Sequence, residues 1–387
     1  MNAPTGRRQF LGATGAGLLC AALPEFVFAA PGADYGRLLV LVELKGGNDG
    51  LNTVVPYTDA AYARLRPRIG ISRDEVLKLD ETAALHPSLE PLMALWQAKE
   101  LAIVQGLGYE DPNFSHFRSI EIWDTGSASN QTLGEGWLAR AFSAAPVPAG
   151  FAAEGAVIGG LENGPLAGSR CVALANPDQF LRRARLATPM RASGSAALQH
   201  VLKVESDIAQ AAVRLAGSAA PMQGFPPGEL GNSLRIAAQV LAGGARVAAI
   251  KVSLNGFDNH QNQPGVHANL LREFAESIAA FRSCLRGLGQ WNNTLVMTYA
   301  EFGRRPAENG SMGTDHGTSS THFVAGGRVK GGFYGEGPRL DQLENGNLRH
   351  TLDFRSLYAT ALGPWWGMDS GRALGGRFEA VPLLRAV

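Results

Sequence analysis

The chain has 387 residues, with 48 glycines, 21 prolines, 45% hydrophobic and 18% charged residues and a formal net charge of +1. No Gly-X-Y period runs through it and breakers interrupt every apolar run, which excludes collagen and long coiled coil, while the apolar share excludes wholesale disorder. The near balance of charge leaves no basic field for nucleic acid, so no nucleic-acid partner is expected.

Arg7-Arg8-Gln9-Phe10-Leu11, followed by an apolar, Gly/Ala-rich stretch to Val27-Phe28-Ala29, reads as a twin-arginine export signal over residues 1–29, cleaved near Ala29 or Ala30. Pro24 and Glu25 interrupt the apolar stretch, which is too short and broken to cross a hydrocarbon core of roughly 30 Å, so no stable membrane anchor is expected. Leu18-Leu19-Cys20 lacks the small residue a lipoprotein signal places before its cysteine. The expected partner is the twin-arginine export machinery and the expected location periplasmic or secreted. Cys171 and Cys284 then remain, too few for a disulfide framework and without a CxxC for a cluster.

Leu38 to Leu44 is a continuous apolar run of strand length that breaks into the loop Lys45-Gly46-Gly47-Asn48-Asp49-Gly50. Leu89 to Trp96 reads as a helix capped by Ser88, and Leu101 to Val104 as a second buried strand. Ser115 opens a helix over His116–Trp123. Residues 126–196 are rich in Gly, Ala and Pro and read as a loop-rich insertion. Helices follow over Ala196–Leu215 and Glu229–Leu241, then a strand over Ala245–Val252, a helix over Val266–Leu288 and a strand over Thr294–Tyr299. The alternation predicts an α/β fold, a doubly wound, mostly parallel sheet with helices on both faces, forming one domain over 30–387.

Polar groups gather at the carboxyl ends of these strands, where open α/β sheets place their ligands. Asp49 stands on a Gly-rich turn, and Ser115 at a helix start. Asp258 and His260, two apart on an extended segment, point the same way, with His267 seven residues on; Glu301 ends a strand and is followed by Asp315-His316 between glycines. Asp49, Asp258, His260, Glu301, Asp315 and His316 are therefore the candidate metal ligands. Oxygen and imidazole together suit one or two divalent ions: zinc, manganese or iron, or magnesium or calcium if oxygens dominate. Two ions would clamp both oxygens of a phosphoryl or sulfuryl transfer, with Ser115 as the candidate nucleophile. Asn48, His116, Arg118 and Arg304 are the candidate contacts to an anionic substrate.

Glu43-Leu44-Lys45-Gly46-Gly47-Asn48-Asp49-Gly50-Leu51-Asn52-Thr53, Asn113-Phe114-Ser115-His116-Phe117-Arg118-Ser119, Gly256-Phe257-Asp258-Asn259-His260, Glu301-Phe302-Gly303-Arg304, Gly313-Thr314-Asp315-His316-Gly317 and Gly326 to Gly332 resemble the motifs of a secreted bacterial family, domain of unknown function 1501, grouped with the alkaline phosphatase and sulfatase superfamily. That resemblance implies an alkaline-phosphatase-like fold with a bimetal site. Asp49 would bind one metal, Asp258 and His260 the other, and Ser115 would be the nucleophile. One residue separates Asp258 from His260 where phosphatases place three, and Asp315-His316 stands later after its strand than their Asp-His-Gly does. Either Glu301 takes the ligand position, or the loop bends Asp315 and His316 back into it, or both serve. A final histidine ligand would be His322 or His350. The function expected is a secreted metal-dependent hydrolase of phosphate or sulfate esters, with a small-molecule or glycan ester as substrate. The alternative is a degenerate, non-catalytic member that binds a ligand, glycan or partner protein.

Overall fold

Residues 32–174 and 222–385 are described by the structure, a computed structural model. The export signal and the helix expected over Ala196–Leu215 lie outside the described residues. The chain divides after Gly32, and the unit that follows carries every element below.

Its strands in chain order are β1 (Leu38–Lys45), β2 (Val54–Val55), β3 (Leu77–Lys78), β4 (Ala84–Leu85), β5 (Leu101–Gly108), β6 (Ala153–Ile158), β7 (Cys171–Leu174), β8 (Val247–Asn255), β9 (Thr294–Tyr299), β10 (Gly303–Arg304), β11 (His316–Gly317), β12 (Ser320–Ala325), β13 (Gly332–Tyr334) and β14 (Leu352–Asp353). Nine of them form the central sheet in the order β13-β5-β12-β9-β1-β8-β6-β7, with β14 also on β5. Only β12 runs antiparallel to its neighbours; the other pairs are parallel. The expected mostly parallel α/β sheet is present. β1, β5, β8 and β9 are legible as largely apolar runs because helices cover both faces.

On one face Val40, Val42, Ile250 and Val252 pack with Leu234 and Phe274, from the helices Glu229–Ala242 and Gln263–Gly287. On the other, Leu39, Leu41 and Met297 pack with Trp123, Trp137 and Tyr358, from the helices His116–Thr125, Trp137–Ala144 and Arg355–Thr360. Each such apolar side chain contributes about 1.5–3 kcal/mol when fully buried.

Three local expectations change. The segment after β4 begins as a 3-10 helix, Pro87–Leu92, and becomes α-helical only at Met93–Gln97, because Pro91 has no N–H to give the ladder. Its cap is His86, whose Nδ1 accepts from the Ser88 amide at 3.0 Å, so Ser88 receives the cap rather than supplying it. The stretch read as loop-rich is described as far as Leu174, and there it supplies the helix Trp137–Ala144 and the sheet strands β6 and β7. The long helix starts at Gln263, three residues before its expected start, with Pro264 in its first turn where a missing N–H is harmless.

Candidate metal centre

Four strand ends build the site. β1 ends at Lys45 and turns through Gly46 and Gly47, with φ of +110° and +78°. A Cβ on Gly46 would stand 2.3 Å from the Asp258 backbone nitrogen, so glycine is what lets this turn lie against the segment after β8. That segment hangs on β1 through the Phe257 amide, which donates to the Lys45 carbonyl at 2.9 Å. Beyond β9, Glu301 leads into β10, and β11 pairs with it antiparallel, His316 opposite Arg304. This hairpin returns Asp315 and His316 to the sheet edge. Finally, β5 leads to the helix His116–Thr125, whose first residue meets Glu301.

Asp258 lies at the centre. Its Oδ1 is 2.9 Å from His260 Nε2 and 3.3 Å from His316 Nε2, and its Oδ2 is 3.4 Å from His116 Nε2. The ligand atoms of His116, Asp258 and His316 all lie within 4.8 Å of one another. His260 joins from the side, its Nε2 3.0 Å from that of His316.

The opposite nitrogen of each ring is anchored outward. His116 Nδ1 is 2.9 Å from Glu301 Oε1, His316 Nδ1 is 2.8 Å from the Phe114 carbonyl oxygen, and His260 Nδ1 is 3.5 Å from Asp315 Oδ1. Carbonyl and carboxylate oxygens only accept, so they call for a proton on Nδ1, and in the neutral ring Nε2 then carries the lone pair that a metal ion would take. Three Nε2 atoms converge on the Asp258 carboxylate, so a cation among them would take the place of the protons that otherwise join these groups.

Glu301 fits the same conclusion. Its side chain is 7% exposed, and its Oε1 accepts from the Gly46 amide at 2.8 Å as well as from His116. Its Oε2 is buried without a hydrogen-bond partner. An orphaned carboxylate oxygen costs several kcal/mol beside neutral groups and little beside a cation. The residues therefore fit a divalent ion, and the mixture of imidazole and carboxylate suits zinc, manganese or iron better than magnesium or calcium.

The charges around the cluster are set by contacts. Burial works against ionising Asp258, but Arg304 Nη2 at 2.7 Å outweighs it and holds the carboxyl down to about 2. The Glu301 hydrogen bond raises the His116 pKa, whereas burial lowers that of His316. A hydrogen bond from Asn309 lowers Asp315.

The sequence-derived candidates divide by place. Asp258, His260, Glu301, Asp315 and His316 surround the cluster. Asp49 does not: it is 3% exposed, caps the helix Gly50–Thr53 and pairs with Arg66 at 2.6 Å. Asn48 is buried between Thr53 and His267. Arg304 is buried and gives its protons to the carbonyls of Gly46, Gly47, Phe257 and Thr314 as well as to Asp258, which makes it the tie between strand ends. Arg118 is engaged with Glu121 and the carbonyls of Ser129 and Gln131. Ser115 occupies the N-cap position of the ten-residue helix His116–Thr125, is exposed, and makes no capping bond with its hydroxyl. His322 is buried in the sheet, its nitrogens beside Thr298 and Ser320. The histidine that joins the cluster is instead His116, read from sequence as a substrate contact. The signal for it was its place at a helix start beyond the carboxyl end of β5.

A family model for proteins of unknown function, DUF1501, matches residues 37–376. The chain belongs to this family. None of the curated proteins matches it. Among solved structures, the DUF1501 chain is similar to a protein in the alkaline phosphatase superfamily from Vibrio parahaemolyticus, with TM-score 0.41 and 10% identity over 88% of this chain and 69% of that one. It is also similar to the lipoteichoic acid synthase LtaP from Listeria monocytogenes, with TM-score 0.40 and 12% identity over 89% and 76%. A third is the phosphonate monoester hydrolase SpPMH from Silicibacter pomeroyi, with TM-score 0.36 and 14% identity over 88% and 76%. Among the described residues no helix is long and apolar enough to cross a membrane.

Proposed function

We propose that this DUF1501 protein is a metal-dependent hydrolase of phosphate or sulfate esters, exported by the twin-arginine route and working in the periplasm or outside the cell. The observation that carries the reading is the outward contact of Nδ1 in His116, His260 and His316, which aims three Nε2 atoms at Asp258. His116, Asp258 and His316 would hold the ion, with His260 beside them and Glu301 orienting His116. A divalent ion bound there supplies Lewis-acid polarisation of the ester and favours ionisation of a nearby hydroxyl.

The chain's own residues do the rest. Ser115 is the proposed nucleophile, because its hydroxyl is exposed, free of capping duty and adjacent to His116. The positive end of the helix behind it favours an anionic ester group. Asp258 and His260, both nearly half exposed, leave the cluster open on the solvent side for a small-molecule or glycan ester.

The test is hydrolysis of 4-nitrophenyl phosphate and 4-nitrophenyl sulfate by metal-loaded protein, metal-stripped protein and the Ser115→Ala variant. Turnover that needs metal and falls at least 100-fold in Ser115→Ala is expected; metal-independent turnover contradicts the proposal. The burial of Asp49 against Arg66 favours a second reading, a non-catalytic member that binds a ligand, glycan or partner protein. Bound metal without turnover on any ester would select it.

A further inference from the structure

The resemblance gives Asp49 to a metal ion; the geometry points instead to a centre that holds one divalent ion, with the Arg66 guanidinium as the fixed cation of Asp49. This rests on the metal-centre reading and deepens it.

Asp49 has no coordination left to offer. Its Oδ1 accepts from the amides of Leu51 and Asn52 at 3.2 and 3.3 Å, and its Oδ2 accepts from Arg66 Nη1 at 2.6 Å and Gln263 Nε2 at 2.5 Å. A carboxylate has about four lone-pair directions, and these four donors use them. The donors are themselves fixed. Gln263 Oε1 accepts from the Thr314 hydroxyl at 2.7 Å, and the two amides belong to the helix that Asp49 caps.

Arg66 is equally committed. Its side chain is 0% exposed, and Nε donates to the Pro306 carbonyl at 2.8 Å, Nη1 to Asn52 Oδ1 at 2.7 Å as well as to Asp49, and Nη2 to the Arg305 carbonyl at 3.1 Å. The Tyr62 hydroxyl donates to the same Asn52 oxygen at 2.7 Å. For Asp49 to ligate a metal, Arg66 would have to leave this cage and remain as an uncompensated buried charge, or its whole surrounding would have to open. The pair is a closed electrostatic unit behind the cluster.

The charge of the cluster points the same way. Asp258, Glu301 and Asp315 bring three carboxylates, and Arg304 returns one positive charge through its contact with Asp258. Arg305 acts on Asp315 and Lys45 on Glu301 too, but Arg305 is exposed and screened by solvent and Lys45 is paired with Glu162. With the imidazoles neutral as ligands, two negative charges remain, which one divalent ion balances. A second would leave an excess of positive charge beside Arg304 and Arg66.

The consequence for chemistry is specific. Two ions would clamp the attacking and the leaving oxygen together; with one, the second oxygen falls to protein groups. The exposed members of the cluster, His260 and Asp315, with side chains 42% and 56% accessible, stand where that role is open.

The experiment is calorimetric titration of metal-stripped, full-length mature protein with zinc, and with manganese followed by electron paramagnetic resonance. The expected result is one site per chain and an uncoupled manganese signal, with one site retained in Asp49→Asn. Two sites with a coupled manganese pair, falling to one in Asp49→Asn, would overturn the inference while leaving the metal centre standing. No site at all would remove the metal centre and this inference with it. The wild-type stoichiometry and spin coupling decide the matter even if Asp49→Asn does not fold.

Discussion

His116 Nδ1 lies 2.9 Å from Glu301 Oε1, so a buried carboxylate fixes which nitrogen of that imidazole faces Asp258. Partners of this kind set both tautomer and ligand basicity, and losing one typically costs 10–100-fold in metal affinity. Glu301→Gln keeps the shape and removes the charge. The expected outcome is zinc affinity weakened by about 10–100-fold with stoichiometry unchanged, read by competition with a chromophoric chelator. Unchanged affinity would show that Glu301 does not support the site.

Gly46 brings the end of β1 into direct contact with Asp258. A methyl group in its place meets the Asp258 backbone nitrogen at 2.3 Å, and its φ of +110° is one an L-residue rarely adopts. Gly46→Ala is expected to cost about 1–3 kcal/mol of stability and to weaken metal binding by displacing Asp258. Denaturant melts of stripped protein together with the zinc affinity check both parts.

Acid should destabilise the stripped protein through histidines away from the cluster. Burial depresses His86 and His267 to about 4 and His322 to about 3. The unfolded chain therefore binds protons first, from about pH 6.5 downward, and stability present above that pH is lost as pH falls toward 4 and 3. The combined loss is on the order of several kcal/mol. Denaturant melts at pH 7.5, 5.5 and 4.5 should show it. A flat profile would mean that these rings are not held neutral.

Asp124 carries the opposite sign. Burial raises its pKa well above the usual value, and nearby Glu43 adds to the rise while Lys251 and the Tyr299 hydroxyl oppose it. Lys251 is itself paired with Glu43 at 2.8 Å. Stability from the protonated Asp124 is full below about pH 4 and declines as pH rises through its folded pKa. Asp124→Asn, neutral at every pH, is expected to melt higher relative to wild type at pH 8 than at pH 5. The reverse order would contradict the assignment.

How much of this was legible depended on what each residue needed from far away. β1, β5, β8 and β9 read as largely apolar runs because both their faces are covered, and Asp258, His260 and Glu301 were visible as polar groups just beyond them. β12 was not, because Ser-Thr-His-Phe-Val-Ala is short and hides a buried Ser320 and His322 among its apolar residues. The role of His116 depends on Glu301, 185 residues away, and local pattern cannot report that pairing. Asp49 shows the same limit from the other side. A carboxylate on a Gly-rich turn looks alike as a metal ligand, a helix cap or half of an ion pair, and only the placement of Arg66 by the fold decides among them.

We propose that His116, His316 and Asp258 hold a divalent ion, with His260 beside them. The most direct test is elemental analysis of purified mature protein beside His116→Ala, His316→Ala and Asp258→Asn, each checked for retained fold by circular dichroism. Close to one equivalent of zinc, manganese or iron is expected in the wild type and less than a tenth of that in each variant. Folded wild-type protein that stays metal-free after exposure to these ions, or variants that keep the full equivalent, would contradict it.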